Sequence, residues 1–99
     1  MPEIERMQFL RFRLAGGLVV ERAARERFLD VVEGLFGEIT RTAVARWMKF
    51  NEPEWAIISY GPLDAFLNIT LHYRNETDEP ETVTWDAEKL RSMDRYVLD

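Results

Sequence analysis

The chain has no cysteine, one histidine, two serines and two lysines among its 99 residues. Without cysteine there are no disulfides, thiol nucleophiles or thiolate metal sites. With His72 alone, every metal motif that needs two histidines is excluded, and no metal site is expected. The serines, Ser59 and Ser92, form no local pair with His72, so the composition does not build a serine–histidine nucleophile. No stretch approaches the ~18 consecutive apolar residues of a membrane span. There are no internal repeats, low-complexity tracts or linkers, so residues 1–99 are expected to form a single domain. The opening residues, MPEIERMQFLRFRL, are charged too early and too often for a secretory signal, which points to a cytoplasmic protein.

What is present is an apolar fraction of 46% with 12% aromatic residues, enough for a core that folds without covalent staples. The net charge is −5, unevenly spread. Residues 1–50 carry a balance of +2 and residues 51–99 one of −7. Between Asn75 and Glu88 there are six acids and no base. Such a run is either a solvated, solubilising loop or an acidic surface for a basic partner.

The organising element is the stretch from Leu18 to Phe36. At 100° per residue, Val20, Ala24, Phe28, Val31, Val32 and Leu35 share one arc, with Leu29 and Phe36 at its rim and the charged residues opposite. Glu21 and Arg25 stand at i,i+4, and Gly37 supplies a stop. A helix with one broad apolar face needs another layer to cover it.

Before that helix, Met1 to Met7 reads as a frayed start. Gln8 to Leu14 alternates, with Leu10, Phe12 and Leu14 on one face and Phe9, Arg11 and Arg13 on the other, as in a half-buried strand. The Gly16-Gly17 pair turns the chain into the helix. From Glu38 to Phe50 two readings compete. As a helix, Ile39, Ala43, Trp47 and Phe50 stack on one side, with Val44 and Met48 beside them. The β-branched Ile39, Thr40, Thr42 and Val44 favour a strand, and Asn51 to Glu54 resembles a hairpin turn. A strand over Thr42 to Phe50 is therefore expected, with a second helix as the alternative.

Trp55 to Tyr60 and Ala65 to Tyr73 carry the strongest β pattern, joined by Gly61-Pro62-Leu63-Asp64. A tight closure there pairs Tyr60 with Ala65, Ile58 with Leu67 and Ala56 with Ile69 on an apolar face. It pairs Ser59 with Phe66, Ile57 with Asn68 and Trp55 with Thr70 on a mixed face, and sets His72 opposite Pro53. Thr82 to Trp85 is a further strand. Asp86 is placed to cap a short terminal helix in which Leu90, Met93 and Val97 share a face, with Leu98 beside them.

The expected fold is α+β. An antiparallel-rich sheet of four to five strands packs on one main helix, with a short C-terminal helix, in the order β-α-β-β-β-β-α. No motif carries catalysis and no cofactor is implied. The expected function is a non-catalytic protein-binding module, such as a small acidic inhibitor, immunity-type antagonist or complex subunit. Its partner-binding residues would be Trp55, Ile57, Phe66 and His72 on the outer hairpin face, and Glu76, Asp78, Glu79 and Glu81 for a basic protein. An exposed sheet edge or face would also support a homodimer. Two other readings stay open. One is a small dimeric enzyme or ligand-binding domain with a pocket between sheet and helices. The other is nucleic-acid binding by a local patch of arginines and aromatics, which the total charge of −5 opposes.

Overall fold

A computed structural model describes residues 7–93. Of the expected frayed start, Met1 to Met7, all but Met7 lies outside the described residues, as does the last turn of the terminal helix with Val97 and Leu98. The elements are β1 (Gln8–Arg13), α1 (Val19–Phe36), α2 (Glu38–Asn51), β2 (Trp55–Tyr60), β3 (Phe66–Arg74), β4 (Pro80–Asp86) and α3 (Ala87–Ser92). The four strands form one sheet in the order β1-β2-β3-β4, antiparallel throughout. The fold is α+β.

The main helix ends where the sequence indicates. Gly37 adopts φ 101°, and its N–H donates to the Glu33 carbonyl at 2.8 Å. The chain then re-enters a helix at Glu38, so one glycine separates two helices. This corrects the strand expected over Thr42 to Phe50. β-branching is a weak preference beside burial. Thr40, Val44 and Met48, spaced at i,i+4, are all buried along α2. Asn51 to Glu54 is the helix stop rather than a hairpin turn. Glu52 takes the left-handed conformation, its N–H donates to the Met48 carbonyl at 2.8 Å, and Pro53 prevents continuation. Arg41 of α2 reaches Glu26, Asp30 and Glu33 of α1 at 3.1, 2.6 and 3.0 Å, clasping the helical hairpin on its solvent side.

Both long helices cover the same face of the sheet. Phe28 of α1 lies against Phe12 of β1, Phe36 against Phe66 of β3, and Trp47 of α2 against Tyr73 and Trp85 of β3 and β4. Between the layers Phe28, Val32, Val44, Ile58, Ile69, Leu71 and Leu90 are fully buried, so the space between sheet and helices is filled with side chains. The buried face of α1 is rotated from the expected arc. Leu29 is core rather than rim, and Val20 is 71% exposed, in the helix's first turn. Asp86 caps α3 as expected, its Oδ1 accepting from the Lys89 N–H at 2.8 Å.

The β2–β3 register also differs. Trp55 pairs with His72, Ile57 with Thr70 and Ile58 with Ile69, two residues along from the expected pairing. Pro62–Asp64 forms a short 3₁₀ turn, with Ala65 outside the ladder, and a bulge separates the Ser59–Asn68 and Tyr60–Phe66 pairs. A slip of two keeps each side chain on its face, so Ala56, Ile58, Ile69 and Leu71 remain core. The bulge does not preserve facing. It turns Phe66 inward beside Tyr60 and Phe36, correcting its expected place on the outer face.

Candidate binding face

The second face of the sheet has no helix on it among the described residues. Its rungs follow from the register: Phe9–Ser59–Asn68–Asp86, then Arg11–Ile57–Thr70–Thr84, then Arg13–Trp55–His72–Thr82. Period-2 alternation puts these side chains together and sends their neighbours to the core. Phe9 is 49% exposed and Trp55 41%; Ile57, Asn68, Thr70 and His72 are half-buried, and Ser59 is buried. Phe9, Ile57 and Trp55 form a diagonal apolar band, with Arg11 and Arg13 along one side. Beyond it lie hydroxyls and an amide, with Thr70 and Thr84 joined at 3.0 Å.

Charge on this face has the opposite sign to that of the chain. Its three rungs carry Arg11 and Arg13 on β1 and one acid, Asp86, on the opposite edge strand. The next rung holds Arg74 opposite Pro80. Arg74 is turned to the loop, donating to the Asp78 carbonyl at 2.7 Å and standing 4.0 Å from Glu54.

The acidic residues do not act as one group. Glu76, Asp78 and Glu79 lie in the turn between β3 and β4. Asn75 organises this turn, its Oδ1 accepting from the Thr77 N–H, the Thr77 hydroxyl and the Glu79 N–H at 2.9, 2.7 and 3.0 Å. The same Thr77 hydroxyl lies 2.8 Å from the Glu79 carboxylate, so its one proton is shared between the two acceptors. Glu81 belongs to the other face, opposite Tyr73. The Tyr73 hydroxyl is held above its ordinary pKa by desolvation, by its hydrogen bond to Glu81 and by the Glu81 charge. Glu76 faces outward from the turn, and Asp78, also exposed, has its carboxylate 3.9 Å from the Arg74 guanidinium.

Of the expected hairpin-face residues, Trp55, Ile57 and His72 share the open face, and Phe66 does not. Phe9, Arg11 and Arg13 were visible as one side of an alternating strand. Their neighbours were not, because a strand's alternation carries no information about which strand it pairs with.

A concavity of about 530 Å³ lies between the loop after β1 and the helical hairpin. Arg25, Lys49, Glu26 and Glu52 line it together with Leu29 and Met48, and the mixed charges favour no ligand class. Beside this loop Glu21 is buried, packed on Gly16, with its Oε2 lacking a hydrogen-bond partner. Arg25 donates to the Leu14 carbonyl rather than completing the expected pair with Glu21. Among the described residues no group of three or more His, Asp or Glu side chains could hold a metal ion, and no helix is long and apolar enough to cross a membrane. The chain matches no family model, no curated protein and no solved structure.

Proposed function

We propose that the protein is a non-catalytic binding module, an inhibitor, antagonist or complex subunit, which holds a partner protein on the open face of its sheet. The observation that carries this reading is that the register places Phe9, Ile57 and Trp55 next to one another on a face that no described helix covers, edged by Arg11 and Arg13. An apolar centre with a polar, charged surround is the usual anatomy of a recognition surface. The filled interior also favours surface recognition over a ligand pocket between sheet and helices.

The test is capture from host lysate by the immobilised protein, quantified by mass spectrometry, in three forms. These are the parent, Phe9→Ala/Trp55→Ala, and Phe50→Ala, which removes an exposed aromatic on the helical side. Proteins retained by the parent and by Phe50→Ala should be lost from the double variant, with unchanged circular dichroism. Equal capture by all three forms refutes the reading.

A further inference from the structure

We infer that the outer edge of β1, on which no described strand lies, takes an extended peptide segment of the partner as a fifth strand, and that this segment alternates acidic and apolar residues. The inference rests on the binding-module reading and names the partner's chemistry.

The backbone supplies the first observation. β1 is the terminal strand of the sheet, with no described strand on its outer side. Immediately past β1 the Leu14 N–H donates to the Glu54 carbonyl at 2.8 Å, so residue 14 directs its backbone groups at the β2 side. Because these groups alternate along a strand, the N–H and C=O of Phe9, Arg11 and Arg13 point to the open edge. All three residues are exposed, as is Leu10 between them. β1 has no proline, whereas β4, at the other end of the sheet, opens on Pro80, which cannot donate to a ladder.

Side chains supply the second observation. An added antiparallel strand would place its hydrogen-bonded residues directly opposite Arg13, Arg11 and Phe9, on the open face. Its alternate residues would lie beside Phe12 and Leu10, on the helix side. Opposite charges across a ladder are favourable and like charges are not. The complementary sequence therefore reads acid, apolar, acid, apolar, aromatic. A second copy of β1 fits less well, since pairing two such edges collects four guanidiniums on one short ladder. Single-stranded nucleic acid is also disfavoured. Neutralising phosphates with two arginines gives a salt slope of only about −1.4 on a log–log scale, too little to hold a polyanion to a chain of charge −5. Two carboxylates need only two arginines, and strand addition obtains the rest of its affinity from the main chain.

The experiment uses the fluorescently labelled peptide Ser-Glu-Val-Glu-Val-Tyr-Ser and fluorescence anisotropy at low and high salt. The parent protein should bind it and should lose affinity as salt rises. Replacing both Glu by Lys should weaken binding roughly 5- to 30-fold, as two favourable cross-strand pairs become unfavourable. N-methylation at the two Glu and the Tyr should abolish binding, because those amides face β1; N-methylation at the two Val should not. The Arg11→Glu/Arg13→Glu protein should prefer the Lys peptide, a rescue that a merely unfolded variant cannot show. Equal binding of the Glu and Lys peptides overturns the inference, as does indifference to the position of N-methylation. Tighter binding of oligouridylate than of the Glu peptide assigns the face to nucleic acid and overturns it as well. If Arg11→Ser/Arg13→Ser self-associates while the parent binds no peptide, the arginines only guard the edge against aggregation. Loss of lysate capture by Phe9→Ala/Trp55→Ala, with no peptide binding by the parent, would leave the module reading standing and remove this inference alone.

Discussion

Replacing Phe28 by alanine tests the layer arrangement on which the open face depends. The ring is fully buried at mid-length on α1, 5.6 Å from the Phe12 ring at a tilt of 56°. It shares a cluster with Val32, Ile58, Ile69 and Leu71. Deleting a buried phenylalanine costs ~3–5 kcal/mol through lost transfer energy and the cavity left behind. Strands and helices enclose the site and oppose its collapse, and an aromatic pair is lost as well, so the expected cost is about 4 kcal/mol. That is a large share of the ~5–15 kcal/mol that holds a domain folded. At ~4–8 °C per kcal/mol for a domain of this size, Tm should fall by roughly 15–30 °C. Phe50 is the internal reference. It has the same side chain but is 78% exposed, and its removal should change stability by less than about 0.5 kcal/mol. The assay is urea titration followed by circular dichroism on the parent and both variants, with m-values compared. A cost below about 1 kcal/mol for Phe28→Ala, or equal costs for the two variants, would mean that α1 does not cover the sheet as described, and the distinction between covered and open faces would fall.

Two further perturbations follow from local geometry. Gly16 has φ 124°, and a Cβ there would meet the Glu21 Oε1 at 2.5 Å, whereas one at Gly34 meets nothing within 4 Å. Because the Glu21 carboxylate can swing aside, the positive φ sets the cost: Gly16→Ala should lose roughly 1–3 kcal/mol, and Gly34→Ala should gain about 0.5–1 kcal/mol; denaturant titration checks both, and a neutral Gly16→Ala refutes the left-handed backbone at residue 16. Burial first and the Asp64 charge second raise the Tyr60 hydroxyl above its ordinary pKa of 10.0. With the folded value above the unfolded one, the contribution is complete below about pH 10 and disappears as pH rises through the folded pKa. Thermal melts at alkaline pH should show Tm falling above about pH 10, less steeply in Tyr60→Phe; identical slopes would refute the assignment.

Periodicity and punctuation in the sequence determined the local elements. α1 ends at Gly37, β1 alternates Phe9, Arg11 and Arg13 against Leu10, Phe12 and Leu14, and Asp86 caps the short helix that follows β4. These features depend on residues within one turn or one strand, so the chain specifies them without its partners. α2 was harder to read because its β-branched residues and its helical spacing disagree, and the burial of Thr40, Val44 and Met48 decided in favour of helix. The sequence placed Trp55, Ile57 and His72 on one face of the hairpin, and tertiary structure decided what joins them on the proposed binding face. Phe66 is turned inward by a bulge, a displacement of one residue that no hydrophobic pattern records. The union of Phe9, Arg11 and Arg13 with Trp55 and Ile57 spans more than forty positions, across the helical hairpin between β1 and β2. Strand neighbours are set by long-range packing that no local pattern records, and among the described residues no strand lies beyond the arginine-bearing edge of β1.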